Sequence, residues 1–160
     1  MKTITPDRIE RKITLPVPRG RVWRAITDPE EFGTWFGVRV EGPFLPGRTV
    51  RGAITHKGYE HLKWEVTVER IEPERLFSFR WHPYAVDPDL DYSEESTTLV
   101  EFRLEDVPAG TALALVESGF DRIPEARRAE AYHRNAEGWT HQMEAIEKYV
   151  AEPTQKPTKG

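Results

Sequence analysis

Three polar residues lie on faces that are otherwise apolar, and they are the first candidates for chemistry. Glu117 follows Leu113 and Leu115 with the alternation of a strand, so its side chain points to the side on which those leucines are buried. Arg128 and Asn135 fall on the apolar stripe of the last predicted helix. Because an unpaired buried charge is strongly destabilising, these groups must pair, take up water or contact a ligand. We hypothesise a Glu117–Arg128 pair that closes one end of a cavity.

Aromatic side chains accompany these polar groups. The chain has five Trp, five Tyr and seven Phe, although its hydrophobic content is only 38%. A mostly apolar pocket with a few convergent polar groups is typical of small-molecule sites. Aromatic residues at strand and helix spacing are also typical of plain core, and both interpretations stay open. The candidate cavity residues are Trp35, Phe36, Trp64, Phe79, Trp81, Glu117, Arg128, Asn135 and Trp139.

The residue pattern predicts the elements that position these side chains. It predicts seven strands, over 8–15, 38–42, 49–56, 62–71, 76–82, 97–105 and 111–120. Two short helices, 19–27 and 29–35, follow the first strand. A long helix over 123–150 would cover about 40 Å at 1.5 Å per residue. Hairpin-length loops make the sheet antiparallel, so the predicted fold class is α+β.

Other motifs that could do chemistry are incomplete. The stretch 42–49 (GPFLPGRT) resembles a phosphate-binding loop, but Arg replaces Lys, two prolines remove N–H donors, and a strand follows where a helix is needed. Asp87, Asp89 and Asp91 have the spacing of a calcium loop whose glycine and last glutamate are missing. The five histidines do not form a three-ligand set, and no nucleophile elbow is present. We therefore predict no metal and no cofactor.

Composition excludes several classes of protein. The chain has no Cys, which rules out disulfides, zinc–thiolate sites and thiolate nucleophiles. Its 27 acidic and 23 basic residues give a net charge of −4 and argue against nucleic-acid binding. The sequence contains no long apolar run, which argues against membrane insertion and a leader peptide. We expect a cytoplasmic protein with a single domain, 1–151, and a disordered tail, 152–160.

Four stretches carry a resemblance to a known superfamily. They are RVWRAITDPEEFGTWF (21–36), ERIEPERLFSFRW (69–81), GTALALVESGF (110–120) and EGWTHQMEAIEKYV (137–150). In this order and spacing they resemble the START-like superfamily, also called SRPBCC or birch-pollen-allergen-like. Within it, they resemble the group named for the C-terminal domain of the activator of heat-shock protein 90 ATPase. The second stretch departs from the family pattern at Glu74, where a second proline is expected.

The resemblance implies a helix-grip fold, in which a curved antiparallel sheet of about seven strands wraps around a long C-terminal helix and leaves a cavity between them. Members of the superfamily bind lipids, sterols, polyketides and other hydrophobic molecules, and some are cyclases, aromatases or hydrolases. In eukaryotic relatives the named domain binds the chaperone and stimulates its ATPase, an activity that also depends on an N-terminal domain.

We predict that the protein binds a small hydrophobic ligand, lipid-, polyketide- or aromatic-like, in that cavity as a carrier or sensor. One alternative is a cyclase- or aromatase-type enzyme that moves protons with Glu117, Arg128 or His82. Another is an interaction protein, such as a chaperone-binding one, that uses the acidic loop 87–95 or a groove on the sheet. Exposed edge strands could also pair two copies into a homodimer.

Overall fold

The computed structural model of the chain describes residues 5–87 and 89–152. Of the predicted tail, 152–160, only Glu152 lies within these residues. Within them, seven strands and three α-helices follow one another in the predicted order. They are β1 (Arg8–Leu15), α1 (Arg19–Thr27), α2 (Pro29–Phe36), β2 (Val38–Glu41), β3 (Thr49–Ile54), β4 (Lys63–Glu72), β5 (Leu76–Trp81), β6 (Thr98–Val107), β7 (Gly110–Ser118) and α3 (Glu125–Ala151), with a short 3-10 turn, Phe120–Arg122, before α3.

The strands form one antiparallel sheet in the order β1-β7-β6-β5-β4-β3-β2. Consecutive strands pair from β2 to β7, and β1 pairs with the free side of β7. Helices α1 and α2 therefore belong to the connection that links the two edges of the sheet. This arrangement confirms the predicted α+β class and the helix-grip architecture, with α3 as the long C-terminal helix.

The inner face of the sheet carries the side chains that form the core with α3. In β4, Trp64, Val66 and Val68 are buried while the residues between them are exposed, as the two-residue period of a strand requires. In β5, Phe77 and Phe79 are fully buried, with their ring centroids 5.7 Å apart. Aromatic rings therefore fill much of the space between the sheet and the helices.

A turn around Asp28 and a glycine cap fix the position of α2. The Asp28 carboxylate accepts a hydrogen bond from the Glu31 backbone N–H at 3.0 Å, and Pro29 takes the first helical position. The helix ends at Gly37 with φ of 91°, a left-handed conformation that glycine adopts without steric strain. This sharp end places Phe36 in the last turn of α2.

A buried ion-pair cluster ties α1 and α2 to the end of α3. Glu31 is 8% exposed and accepts hydrogen bonds from Arg21 Nη1 at 2.8 Å and Arg24 Nε at 2.7 Å. Tyr149 Oη of α3 donates to the same carboxylate at 3.0 Å. Although burial raises the pKa of Glu31, the hydrogen bonds from Arg24, Arg21 and Tyr149 outweigh it and hold that pKa below its usual value.

The substitution Gly33→Ala tests the close approach of α2 to β2. A Cβ on Gly33 would lie 2.1 Å from the backbone carbonyl oxygen of Val38, which cannot rotate away. We expect the free energy of unfolding, measured by urea denaturation, to fall by about 1–3 kcal/mol, as in other overpacked sites, although alanine is the better helix former.

The matched control is Gly20→Ala in α1. The nearest atom to a Cβ there is the end of the flexible Glu74 side chain at 3.4 Å, so the free energy of unfolding should stay the same or rise. An equal loss in both variants would contradict a specific contact between α2 and β2.

Candidate functional site

Glu117 is a fully buried carboxylate near the end of β7. The sheet register places it between Ile9 of β1 and Val100 of β6. Its relative exposure is 0%. The predicted inward orientation, on the same face as Leu113 and Leu115, is what the structure has.

Four side chains donate hydrogen bonds to this carboxylate. Trp81 Nε1 of β5 donates to Oε2 at 2.8 Å, and Thr98 Oγ1 of β6 donates to the same oxygen at 2.6 Å. Trp139 Nε1 of α3 donates to Oε1 at 2.8 Å. The Asn135 amide nitrogen lies 3.1 Å from Oε1 and 3.0 Å from Oε2. We call these five residues the Glu117 cluster; it joins β5, β6, β7 and α3 at one group.

The Glu117 cluster contains no cation. Within the described residues no Lys, Arg or His forms an ion pair with Glu117, and its partners are neutral donors. Burial raises the pKa of Glu117 above its usual value, and hydrogen bonds from Thr98, the two tryptophans and Asn135 offset only part of this effect. Glu117 therefore differs from Glu31, whose arginine partners move the pKa in the opposite direction.

The hypothesis of a Glu117–Arg128 pair is wrong. Arg128 Nε instead donates to the carbonyl oxygen of Ile123 at 3.0 Å, at the start of α3. Asn135, two helical turns further along α3, reaches the carboxylate. An amide satisfies the carboxylate's acceptors and leaves its charge unbalanced.

A crevice of about 100 Å³ opens beside the Glu117 cluster, where α2, β5 and α3 meet. The ring centroid of Phe36 lies 6.3 Å from that of Trp81 and 6.1 Å from that of Trp139, and the two indoles are stacked 5.8 Å apart. Sites that enclose a drug-sized ligand measure roughly 300–1,000 Å³, so this crevice has room for no more than a single ring or a short aliphatic group. Its lining consists of Phe36, Trp81, Arg134, Asn135, Gly138, Trp139 and Gln142.

Four of the nine predicted cavity residues line the crevice, and Glu117 lies one hydrogen bond behind three of them. The other four have different environments. Trp64 and Phe79 pack in the core with their ring centroids 6.4 Å apart. Trp35 donates its Nε1–H to the carbonyl oxygen of Ala25 at 2.8 Å, and Arg128 lies at the start of α3.

The sequence pattern does not single out Thr98, Gly138 or Gln142. Thr98 is fully buried and begins the inward row of β6, so the strand alternation could have indicated it. Gln142 Nε2 donates to the carbonyl oxygen of Phe36 at 2.9 Å and joins α3 to the end of α2. For Gly138, a glycine inside a long helical pattern could have indicated a functional or packing role.

Metal-binding groups and membrane-spanning helices are both absent from the part of the chain that the structure describes. No three His, Asp or Glu side chains come close enough there to hold a metal ion. None of the helices in it has the length and apolar character needed to cross a bilayer. His82 lies with a ring nitrogen 3.1 Å from the carbonyl oxygen of Glu95, in the loop that follows β5.

Fold and site together define a helix-grip protein of the START-like superfamily, with an aromatic crevice beside a buried carboxylate. The family model for Activator of Hsp90 ATPase homolog 1-like protein matches residues 16–151, and the chain belongs to this family. This confirms the family resemblance of the four sequence stretches. Comparison with the curated proteins finds no match.

Several solved structures are similar to this chain. Protein MLL2253 from Mesorhizobium loti has 22% identity and a TM-score of 0.71, over 92% of this chain and 98% of that one. The Aha1 dimer from Colwellia psychrerythraea has 14% identity and a TM-score of 0.67, over 93% and 98%. DynU16, from the dynemicin biosynthetic locus, has 23% identity and a TM-score of 0.71, over 97% of this chain but 50% of that one. The present chain thus spans half the length of DynU16. At these identities the likeness concerns the fold.

Glu117 and Glu31 should give the stability of the protein opposite pH dependences. A raised folded-state pKa stabilises the protein below the unfolded value, and this contribution is lost as the pH rises through the folded value. A lowered pKa stabilises above the unfolded value, and the contribution is lost as the pH falls. The stability difference between wild type and Glu117→Gln should therefore decrease as the pH rises above about 4.5.

The difference between wild type and Glu31→Gln should instead decrease as the pH falls below about 4.5. Urea denaturation across the pH range measures the two stability differences, for Glu117→Gln and for Glu31→Gln. Glutamine is neutral at every pH but adds a donor beside the existing donors of the Glu117 cluster, so the slope of the stability difference with pH, and not its size, carries the test. A difference for Glu117→Gln that grows with pH would contradict the raised pKa.

Proposed function

We propose that the protein binds a small hydrophobic molecule in the crevice beside the Glu117 cluster, as a carrier or sensor. The rings of Phe36, Trp81 and Trp139 supply apolar walls, and Asn135 and Gln142 supply polar groups at the edge. This combination of apolar lining and few polar groups is typical of small-molecule sites.

Gly138 is the observation that carries this proposal. It lies in the middle of α3, where glycine lowers helix stability by about 1 kcal/mol relative to alanine. A Cβ on Gly138 would meet no atom within 4 Å, so the packing of the protein does not require glycine there. Since Gly138 lines the crevice, the missing side chain leaves room in its wall, and a bound molecule would use that room.

The volume of the crevice sets how a ligand would bind. About 100 Å³ holds one ring or a short aliphatic group, whereas a sterol or a polyketide is several times larger. A larger ligand would insert one end and extend into solvent past Arg134 and Gln142, which also line the crevice. Binding through an inserted end is therefore favoured over complete enclosure.

A cyclase- or aromatase-type activity has less support. Glu117 is sealed behind its hydrogen-bond donors with 0% exposure, so it contacts no molecule in the crevice unless those side chains move. The other candidates for proton transfer are engaged elsewhere: His82 with the carbonyl oxygen of Glu95, and Arg128 with that of Ile123.

Binding of a protein partner through the acidic loop 87–95 and formation of a homodimer stay predictions made from the sequence. In the acidic loop, Glu95 accepts hydrogen bonds from Arg127 of α3 at 2.7 and 3.0 Å, and the Arg127 guanidinium lies 4.8 Å from the Tyr92 ring centroid. This part of the loop is thus neutralised within the chain. For a homodimer, the sheet offers β1 and β2 as edge strands.

Gly138→Ala should change stability and binding in opposite directions. The free energy of unfolding should rise by up to about 1 kcal/mol because alanine favours the helix and its methyl group meets no atom within 4 Å beyond its chain neighbours and the nearby backbone of α3. Affinity for benzene, a single-ring probe, should fall because that methyl group occupies the crevice. Thermal unfolding measures the change in stability, and NMR titration of the Trp81 and Trp139 indole N–H signals measures the change in affinity.

Glu137→Ala is the matched control, one residue earlier on an exposed position of α3. It should leave benzene binding unchanged. Equal benzene affinities of wild type and Gly138→Ala would contradict a role for the space left by the missing Gly138 side chain. If the wild type does not bind benzene in a benzene-saturated solution, the proposed site is wrong.

A further inference from the structure

Among the described residues, Glu31 and Glu117 are the buried carboxylates, and they differ in countercharge. Glu31 is balanced by the guanidinium groups of Arg21 and Arg24. Glu117 has hydrogen bonds from neutral groups only. A buried charge is strongly disfavoured unless an opposite charge balances it, so whenever Glu117 is ionised its negative charge has no balancing cation within the described residues, one hydrogen bond behind an open crevice.

The walls of the crevice suit a positive charge. A cation close to the face of an indole or phenyl ring is attracted by the ring quadrupole, most strongly for tryptophan. Trp81 and Trp139 both donate their indole N–H to the Glu117 carboxylate. A hydrogen bond to an anion polarises the donor, which makes these two rings more negative and strengthens their attraction for a cation.

We propose that the group inserted into the crevice is a small organic cation of the alkylammonium class, for which Glu117 provides the countercharge. This inference rests on the proposed function. A methylated ammonium group is apolar at its surface and positively charged, so it matches both the aromatic walls and the uncompensated carboxylate. Its size suits a crevice of about 100 Å³.

Arg134 is the charge that opposes this arrangement. It lines the crevice, but its side chain is 56% exposed, its Nε lies 3.8 Å from a Glu130 oxygen, and its guanidinium lies 5.6 Å from the Tyr84 ring centroid. Salt and solvent screen a charge in this position far more than a buried one. An anionic ligand that pairs with Arg134 is the competing possibility, so the test includes an anion.

The side chains that face Glu117 determine how the pH dependence of ligand binding is interpreted. Ile9 of β1, Val100 of β6 and the four donors of the cluster carry no group that titrates between pH 4.5 and 8. On α3, Arg134 lines the crevice, while Glu130, His133, Glu137 and His141 are exposed to solvent, which screens their charges from the cluster. His82 follows Trp81 directly in the chain, and His82→Gln serves as its control.

The test compares three probes of similar shape: tetramethylammonium, tert-butanol and pivalate. Each probe is titrated into the nitrogen-15-labelled protein at constant ionic strength, and the NMR signals of the Trp81 and Trp139 indole N–H groups report binding. At pH 8 we expect tetramethylammonium to bind about tenfold more tightly than tert-butanol, and pivalate to bind most weakly. The preference for the cation should shrink as the pH falls and Glu117 takes up a proton, and it should do so equally in His82→Gln.

Two variants complete the experiment. Glu117→Gln should lose the preference for the cation and retain tert-butanol binding; if this variant does not fold, the pH dependence of the wild type gives the same information. Gly138→Ala should weaken both probes. Equal or tighter binding of tert-butanol or pivalate at pH 8 would overturn the cation inference and leave the proposed site intact. Failure of all three probes to bind would overturn both.

Discussion

A buried carboxylate must find hydrogen-bond donors, and in this protein that requirement fixes how the long helix lies on the sheet. The donors to Glu117 come from β5, β6 and α3, all within 3.1 Å of its oxygens. Removing a donor from a buried acceptor costs about 1–3 kcal/mol, so a small shift of α3 would break two contacts at once. The position of α3 in turn determines where the crevice opens.

The buried ion-pair cluster around Glu31 performs a related task at the C-terminal end of α3. Through Tyr149 it joins the last turns of α3 to α1 and α2, so buried carboxylates hold the helix at two distant points. One is balanced by arginines and the other is not. Well-packed apolar residues often stabilise a fold as well as a buried polar network does. Stability alone therefore does not explain why the unbalanced carboxylate lies directly behind the residues that line the crevice.

The sequence predicted the elements well and the partners of Glu117 poorly, for one physical reason. Strand alternation and helical periodicity report the direction of a side chain, so the inward position of Glu117 and the stripe with Asn135 and Trp139 followed directly. Arg128 and Asn135 share that stripe but lie about 10 Å apart along the helix axis at 1.5 Å per residue. Which of them is level with Glu117 depends on how far α3 is translated along the sheet, and long-range packing decides this.

The same long-range packing explains why the candidate cavity is small. The aromatic residues were compatible with both a binding site and a plain core, and the structure divides them between the two. Rings such as Trp64 and Phe79 fill the interior, while Phe36, Trp81 and Trp139 meet where α2, β5 and α3 converge. At that junction α3 has a glycine where a side chain would fit. Since larger interior space would require replacing whole rings, the size of the crevice is set at the junction by the surrounding rings and by the absent side chain of Gly138.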